Sequence, residues 1–195
     1  MRNVRLSAMA GWIATVLLCC LTYVVAAGSA GAAYVPVEPY AGYEPQSACS
    51  PVAKPGTRAL GRWVVAGFGG RAGAISRACK GRSTSEHKEG RAFDWRLNAR
   101  SRADRARAAR FLQRITATGA SGEPAELARR MGVMYVIWND RIYAAYDQFR
   151  PRPYLSSGCK KLRKCSRTLR HRDHMHISLT RRGGAGRTSW YAGRV

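Results

Sequence analysis

All four histidines of this 195-residue chain fall in two short segments. His87 lies in Ser85-Glu86-His87-Lys88-Glu89-Gly90-Arg91-Ala92-Phe93-Asp94, and the other three lie in His171-Arg172-Asp173-His174-Met175-His176. Neutral imidazole and carboxylate are ligands for a borderline divalent metal such as zinc. Three protein ligands with a fourth position left for water is the arrangement of a catalytic rather than a structural centre. His87, Asp94 and His176 supply such a triad. Gly90 and Ala92 are small enough to let the chain turn and pack closely between His87 and Asp94, so a loop carrying His87 can run into a strand carrying Asp94. His174 and His176 are two residues apart, which puts them on one face of a strand, so one can bind the metal while the other stands beside the water. The same spacing also suits two half-exposed strand histidines and an Asp94 paired with one of many arginines, and a His-x-His alone does not separate the two readings.

These side chains need a frame. Residues 174–179 alternate His174, His176 and Ser178 with Met175, Ile177 and Leu179, the period of a strand with one set on each face. Residues 134–138 and 141–143 are β-branched and aromatic runs around Asn139-Asp140, a pair that tolerates positive φ, and predict a β-hairpin. A helix is predicted over residues 102–117: Ser101 and Asp104 form a capping box, Ala108, Phe111, Leu112 and Ile115 make an apolar stripe, and Gly119 can close it. A shorter helix over 124–131 starts near Pro124, with Leu127 and Met131 on one side, and stops at Gly132. The short apolar runs at 63–68 and 74–75 suit strands, or a short helix with a strand. Five prolines between residues 34 and 56 disfavour helix and any central strand. Together these elements predict an α+β fold, a small antiparallel β-sheet with flanking helices.

With 46% hydrophobic and 9% aromatic residues, the chain can bury the core of one domain but has no room for a second large one. Lys+Arg number 34 against 11 Asp+Glu, a formal charge of +23, which favours a polyanionic partner: nucleic acid, an anionic membrane or an acidic cell wall. It argues against a free cytosolic metabolic enzyme. Arg2 and Arg5 precede an uncharged stretch over residues 8–27 and then small residues, with Ala30 and Ala32 at the positions a signal peptidase reads. Residues 1–32 are therefore a secretory signal or, uncleaved, an N-terminal membrane anchor. Residues 33–48 form a Pro-rich linker and 49–195 the functional domain. Removing 1–32 takes away two arginines and no acid, so +23 falls to +21, and it leaves Cys49, Cys79, Cys159 and Cys165. An even count in an oxidising compartment predicts disulfides. Of the three pairings, Cys49 with Cys79 and Cys159 with Cys165 is favoured; a four-cysteine zinc site lacks any Cys-x-x-Cys pair.

Ser85-x-His87-x-x-Gly90-x-Ala92-x-Asp94 resembles, at every fixed position, the signature of the M15-type zinc D-alanyl-D-alanine peptidases. Asp173-His174-Met175-His176 is similar to the His-x-His of the wider group that includes lysostaphin-type endopeptidases. With Trp95, Ile137-Trp138-Asn139 and residues 170–174, the region from about residue 49 to 191 resembles an actinobacterial group of secreted M15-like domains. The resemblance implies a hedgehog-like D-Ala-D-Ala peptidase fold, Zn2+ bound by His87, Asp94 and His176, and hydrolysis of peptide bonds in peptidoglycan stem or cross-link peptides. It leaves the general base open, because one group uses an acid at the position of Asp173 and the other a histidine at the position of His174. Strand alternation favours His174, with Asp173 orienting a histidine instead.

Arg77 could bind a substrate carboxylate or stabilise an oxyanion, or simply be one more surface arginine. Ser85 suits support of the His87 loop by hydrogen bonding better than nucleophilic attack. His171 reads as exposed or as a neighbour of the site, and Trp95 and Trp138 as core. The basic run Lys160-Lys161-Leu162-Arg163-Lys164 adds attraction for anionic cell-wall polymers. The expected partners are thus peptidoglycan peptides and wall polymers, with no specific nucleic acid, for a secreted, wall-associated monomer. Two rivals stand beside the peptidase: a catalytically inactive M15-like cell-wall-binding domain, and an exported nucleic-acid-binding protein or nuclease suggested by charge alone.

Overall fold

The computed structural model describes residues 35–195, and its sheet is built around the strand that carries His174 and His176. Along the chain come α1 (Pro55–Phe68), β1 (Arg71–Ala72), β2 (Ala92–Arg96), α2 (Arg102–Thr116), α3 (Glu126–Arg130), β3 (Val133–Trp138), β4 (Arg141–Ala144), β5 (Pro151–Pro153), β6 (His174–Leu179) and α4 (Arg181–Gly184). The described strands form one six-stranded sheet in the order β1-β2-β6-β3-β4-β5, with every neighbouring pair antiparallel. The α+β expectation holds. The signal or anchor segment, with Cys19 and Cys20, lies outside the described residues.

Alternation along β6 sorts its side chains as the sequence predicts. Met175, Ile177 and Leu179 are fully buried in the main core with Phe93, Trp95 and Val136, while His174 and His176 face the other way. Helix α2 covers this core with Ala108, Phe111 and Ile115, and Ser101 caps it by accepting from the Asp104 backbone N–H at 3.2 Å. Burial of these apolar side chains is the main stabilising contribution, at roughly 1.5–3 kcal/mol for each large residue. The hairpin turn places Asn139 and Asp140 at φ 46° and 64°, as its tight reversal requires. Helix α3 is shorter than expected, five residues ending just before Gly132.

The run at 63–68 is the second half of α1, so the proline-rich stretch ends earlier than its composition suggested. Pro55 sits in the first turn, where its missing N–H costs nothing. Gly56 follows because a Cβ there would lie 2.1 Å from the carbonyl oxygen of Gly183, so α1 can pack directly on α4.

Before α1 the chain is extended and tied down along its length. Glu38 accepts hydrogen bonds from the Ser189 backbone N–H and hydroxyl. Arg91, buried, donates through Nε to Glu89, through Nη1 to the Leu179 carbonyl and through Nη2 to the Glu44 carbonyl, each at 2.6 Å. This one guanidinium joins the N-terminal segment, the His87 motif and β6. Disulfides link Cys49 to Cys79 and Cys159 to Cys165, the favoured pairing. The first fixes the loop between β1 and the His87 turn.

Candidate metal centre

His87 sits in a single 3-10 turn, Glu86–Glu89, that ends at Gly90 in the left-handed region with φ 65°. A side chain at Gly90 would also strike the Val52 carbonyl oxygen, 2.0 Å from the Cβ position. Glycine therefore allows the turn to close against the N-terminal segment and feed straight into β2. Asp94, two residues into that strand, lies directly opposite His176 on β6. The sheet register brings together residues 82 positions apart in sequence.

Three ligand atoms converge there. Asp94 Oδ1 lies 3.0 Å from His87 Nε2 and 3.2 Å from His176 Nδ1, and the three side chains form a buried group able to hold a metal ion. The other nitrogen of His87, Nδ1, is 2.9 Å from the Ile75 carbonyl, which can only accept, so Nδ1 carries the proton. Nε2 is then the ring nitrogen that faces Asp94, placed as a ligand atom. A metal ion held by the three with tetrahedral bonds of about 2.0–2.1 Å would put ligand atoms about 3.3 Å apart. The donor set fits, and so do the two spacings to Asp94. Burial would raise the Asp94 carboxyl, but hydrogen bonds from His176 and His87 outweigh it and hold the group far below the usual carboxylate range. Burial pushes the His176 imidazole down, toward its neutral, ligating form.

Asp173 and His174 stand beside this centre and act as a pair. His174 Nδ1 donates to Asp173 Oδ1 at 2.7 Å, while its Nε2 faces Asp94 Oδ1 at 3.7 Å. Asp173 precedes the first residue of β6, free of the strand's alternation, and Thr168 donates to its second oxygen at 2.6 Å. His171, at φ 49°, packs its ring against His174 and His176. Burial and those two neighbours push its imidazole down to about 2, so it is neutral, not an exposed surface histidine.

Arg77 lines a cavity of about 290 Å³ together with Arg96, Asp94, Thr168, Asp173 and His174. The Arg77 backbone N–H donates to the His87 carbonyl at 3.1 Å, so the loop that orients His87 also places this guanidinium. Ser85 supports the turn through its backbone: its N–H donates to Gln46 Oε1 and its carbonyl accepts from Lys88, while the hydroxyl makes no capping bond. Trp95 and Trp138 belong to the core.

Two participants were not legible in the sequence. Tyr135 on β3 stacks on His176, with ring centroids 5.6 Å apart and planes at 21°. Its hydroxyl donates to buried Glu86 at 2.5 Å. Burial and the Glu86 carboxylate push the phenol far above its ordinary value, so it remains a donor. Arg96, whose strand position is opposite His174, is the other.

Fold and site define a class: an α+β domain whose antiparallel sheet carries a His-Asp-His group able to hold a metal on the face away from the core. Residues 49–161, more than half of the chain, match the family described as VldE, C-terminal domain, and the chain belongs to that family. The matched region contains His87 and Asp94 and ends before His171. No curated protein and no solved structure matches the chain.

Proposed function

We propose that this chain is an exported zinc-dependent peptidase that hydrolyses peptide bonds of peptidoglycan stem or cross-link peptides. The observation that carries this reading is the convergence of His87 Nε2, Asp94 Oδ1 and His176 Nδ1 beside a histidine that Asp173 holds by its far nitrogen. One carboxylate and two imidazoles suit zinc. A zinc ion held by these residues supplies Lewis acidity that polarises a peptide carbonyl and makes water nucleophilic near neutral pH.

The chain's own residues do the rest. Because Asp173 accepts the Nδ1 proton of His174, Nε2 is the nitrogen free to take a proton from water and return it to the leaving amine. His174 is thus the general base and Asp173 its orienting partner. Arg77 offers a forked donor at the cavity wall for the substrate's carboxylate or the developing oxyanion. Two disulfides suit an oxidising compartment outside the cytoplasm. The resemblance to M15-type peptidases supplies the substrate class, and the excess of basic residues suits an anionic wall.

The test is metal content per oxidised chain, purified without added metal or a histidine tag, with cleavage of wall peptides followed in the same preparation. About one zinc per chain, little in His176→Ala, and cleavage lost in His174→Ala with zinc retained is the expected result. Zinc without cleavage of any wall peptide would make the chain a noncatalytic wall-binding domain. No zinc, even after zinc is added back, would overturn the metallopeptidase assignment.

A further inference from the structure

We infer that the cleft continues past the metal centre into an anion-reading subsite formed by Arg71, Arg96 and Arg167, which takes an acidic side chain of the bound peptide. The word peptide rests on the peptidase reading above; the subsite is read from its own charges. A second cavity, of about 320 Å³, adjoins the one at the metal centre, and the two share Arg96 and Asp173. Arg71 and Arg96 are direct cross-strand partners between β1 and β2, so their side chains leave the same face of the sheet. Like charges directly opposite destabilise a strand pair. Both residues are exposed, and neither makes an ion pair or side-chain hydrogen bond among the described residues. Arg167 lines the same cavity and is held in place, its Nη2 donating to Asn98 Oδ1 at 2.8 Å and the Arg172 carbonyl at 3.3 Å.

The acids facing this cavity are already engaged. Asp104 accepts from Arg107 at 2.7 Å and from the Asn98 backbone at 2.9 Å, and Asp173 accepts from Thr168 and His174. Asp104 is paired with Arg107, while Asp173 is held by Thr168 and His174 and by no arginine. Three guanidinium groups therefore share the cavity with one unpaired carboxylate, an excess of positive charge whose planar donor forks a ligand carboxylate fits. Arg96 lies two residues along β2 from Asp94, about 7 Å at strand spacing. An extended peptide advances about 3.3–3.6 Å per residue. The acidic side chain is thus one to two residues from the peptide bond beside the metal centre.

The experiment is fluorescence anisotropy of the zinc-loaded full chain with labelled tetrapeptides that differ only in Glu against Gln at one position, scanned through each position. At one position the Glu peptide is expected to bind at least fivefold more tightly. Arg71→Gln should bring that ratio to about one while leaving zinc content intact and the thermal midpoint unchanged or higher, because the substitution also relieves the repulsion with Arg96. A merely structural arginine would lower the midpoint and leave the ratio alone. The subsite is overturned if no position prefers Glu, if the preference survives Arg71→Gln, or if inorganic phosphate at equal concentration displaces the Glu peptide as well as a competing Glu peptide does. A Glu preference without cleavage at any position sinks the peptidase reading and leaves the subsite standing; cleavage with equal kcat/KM for all Glu and Gln pairs does the reverse.

Discussion

Met175, Ile177 and Leu179 on one face of β6 are enclosed by the main core, whereas His174 and His176 on the other face look onto Asp94, Asp173, His171 and Tyr135. On the core face every side chain makes many weak, undirected contacts, so losing one removes area and leaves a void. On the site face Asp94, Asp173, His174 and His176 are matched atom to atom, so losing one strands its partner. A single strand therefore carries two kinds of dependence: stability is spread over one face, and chemistry is concentrated on the other.

Substitution at adjacent positions separates the two. Ile177→Ala should destabilise the domain by about 2–5 kcal/mol, as fully buried aliphatic truncations do, while the fraction that remains folded keeps its metal stoichiometry. Chemical denaturation followed by metal analysis of the folded fraction checks both statements. His176→Ala should act chiefly on the metal. Losing a ligand should weaken metal binding by more than the roughly 10–100-fold that loss of a ligand's supporting partner costs, with a loss of about 1–3 kcal/mol in the metal-free chain's stability, the cost of leaving buried Asp94 short of a partner. If Ile177→Ala abolished metal binding in folded protein, the two faces would not be separable.

Tyr135 tests whether the site face has an apolar support of its own. Tyr135→Phe keeps the ring stacked on His176 but removes the hydroxyl that donates to buried Glu86. An unsatisfied buried acceptor costs about 1–3 kcal/mol, so the denaturation midpoint should fall while metal affinity stays within a few-fold. A large loss of metal affinity would show that the Glu86 hydrogen bond, and not the stacked ring, positions His176.

The elements carried by short-range pattern were legible. β6 and the hairpin follow from period two and a turn pair with positive φ, and α2 from a capping box and an apolar stripe. β1 and β5 were not, because strands of two and three exposed residues have no period, and two of the three in β5 are proline. The beginning of α1 was obscured by Pro55 and Gly56, residues that describe a loop in composition but a helix start in position. At the centre, His87, Asp94 and His176 could be put forward because the four histidines fall in two short segments, but spacing alone left them level with ordinary strand residues. Tyr135 and Arg96 could not, because their roles arise from β3 and β2 flanking β6, a neighbourhood that sequence spacing does not encode. Of the two readings of His171, the structure gives the neighbour of the site: its position at φ 49° after the basic loop turns its ring toward His174.

The smallest expected effect concerns how that last loop is held to the hairpin. Arg170 donates through Nε and Nη2 to the two oxygens of Asp140, each at 2.8 Å, and the backbone N–H groups of Asn139 and Asp140 donate to the His171 and Arg170 carbonyls. The hydrogen bond from Arg170 holds the Asp140 carboxyl below its ordinary value, against a smaller opposing effect of burial. A carboxyl lowered in the folded state binds its proton more readily in the unfolded chain. Its contribution is therefore present above about pH 4, the unfolded value, and is lost as the pH falls below that. Asn tolerates the positive φ of this turn, so Asp140→Asn removes the charge without straining the backbone. The variant should lose about 1 kcal/mol or less at pH 7 in low salt, less in high salt, and the difference from the parent chain should shrink steadily as the pH falls below about 4. Urea denaturation of both chains at several pH values from about 7 down to about 3 measures it. A difference that did not shrink over that range would mean that shape, not charge, ties the hairpin to the histidine loop.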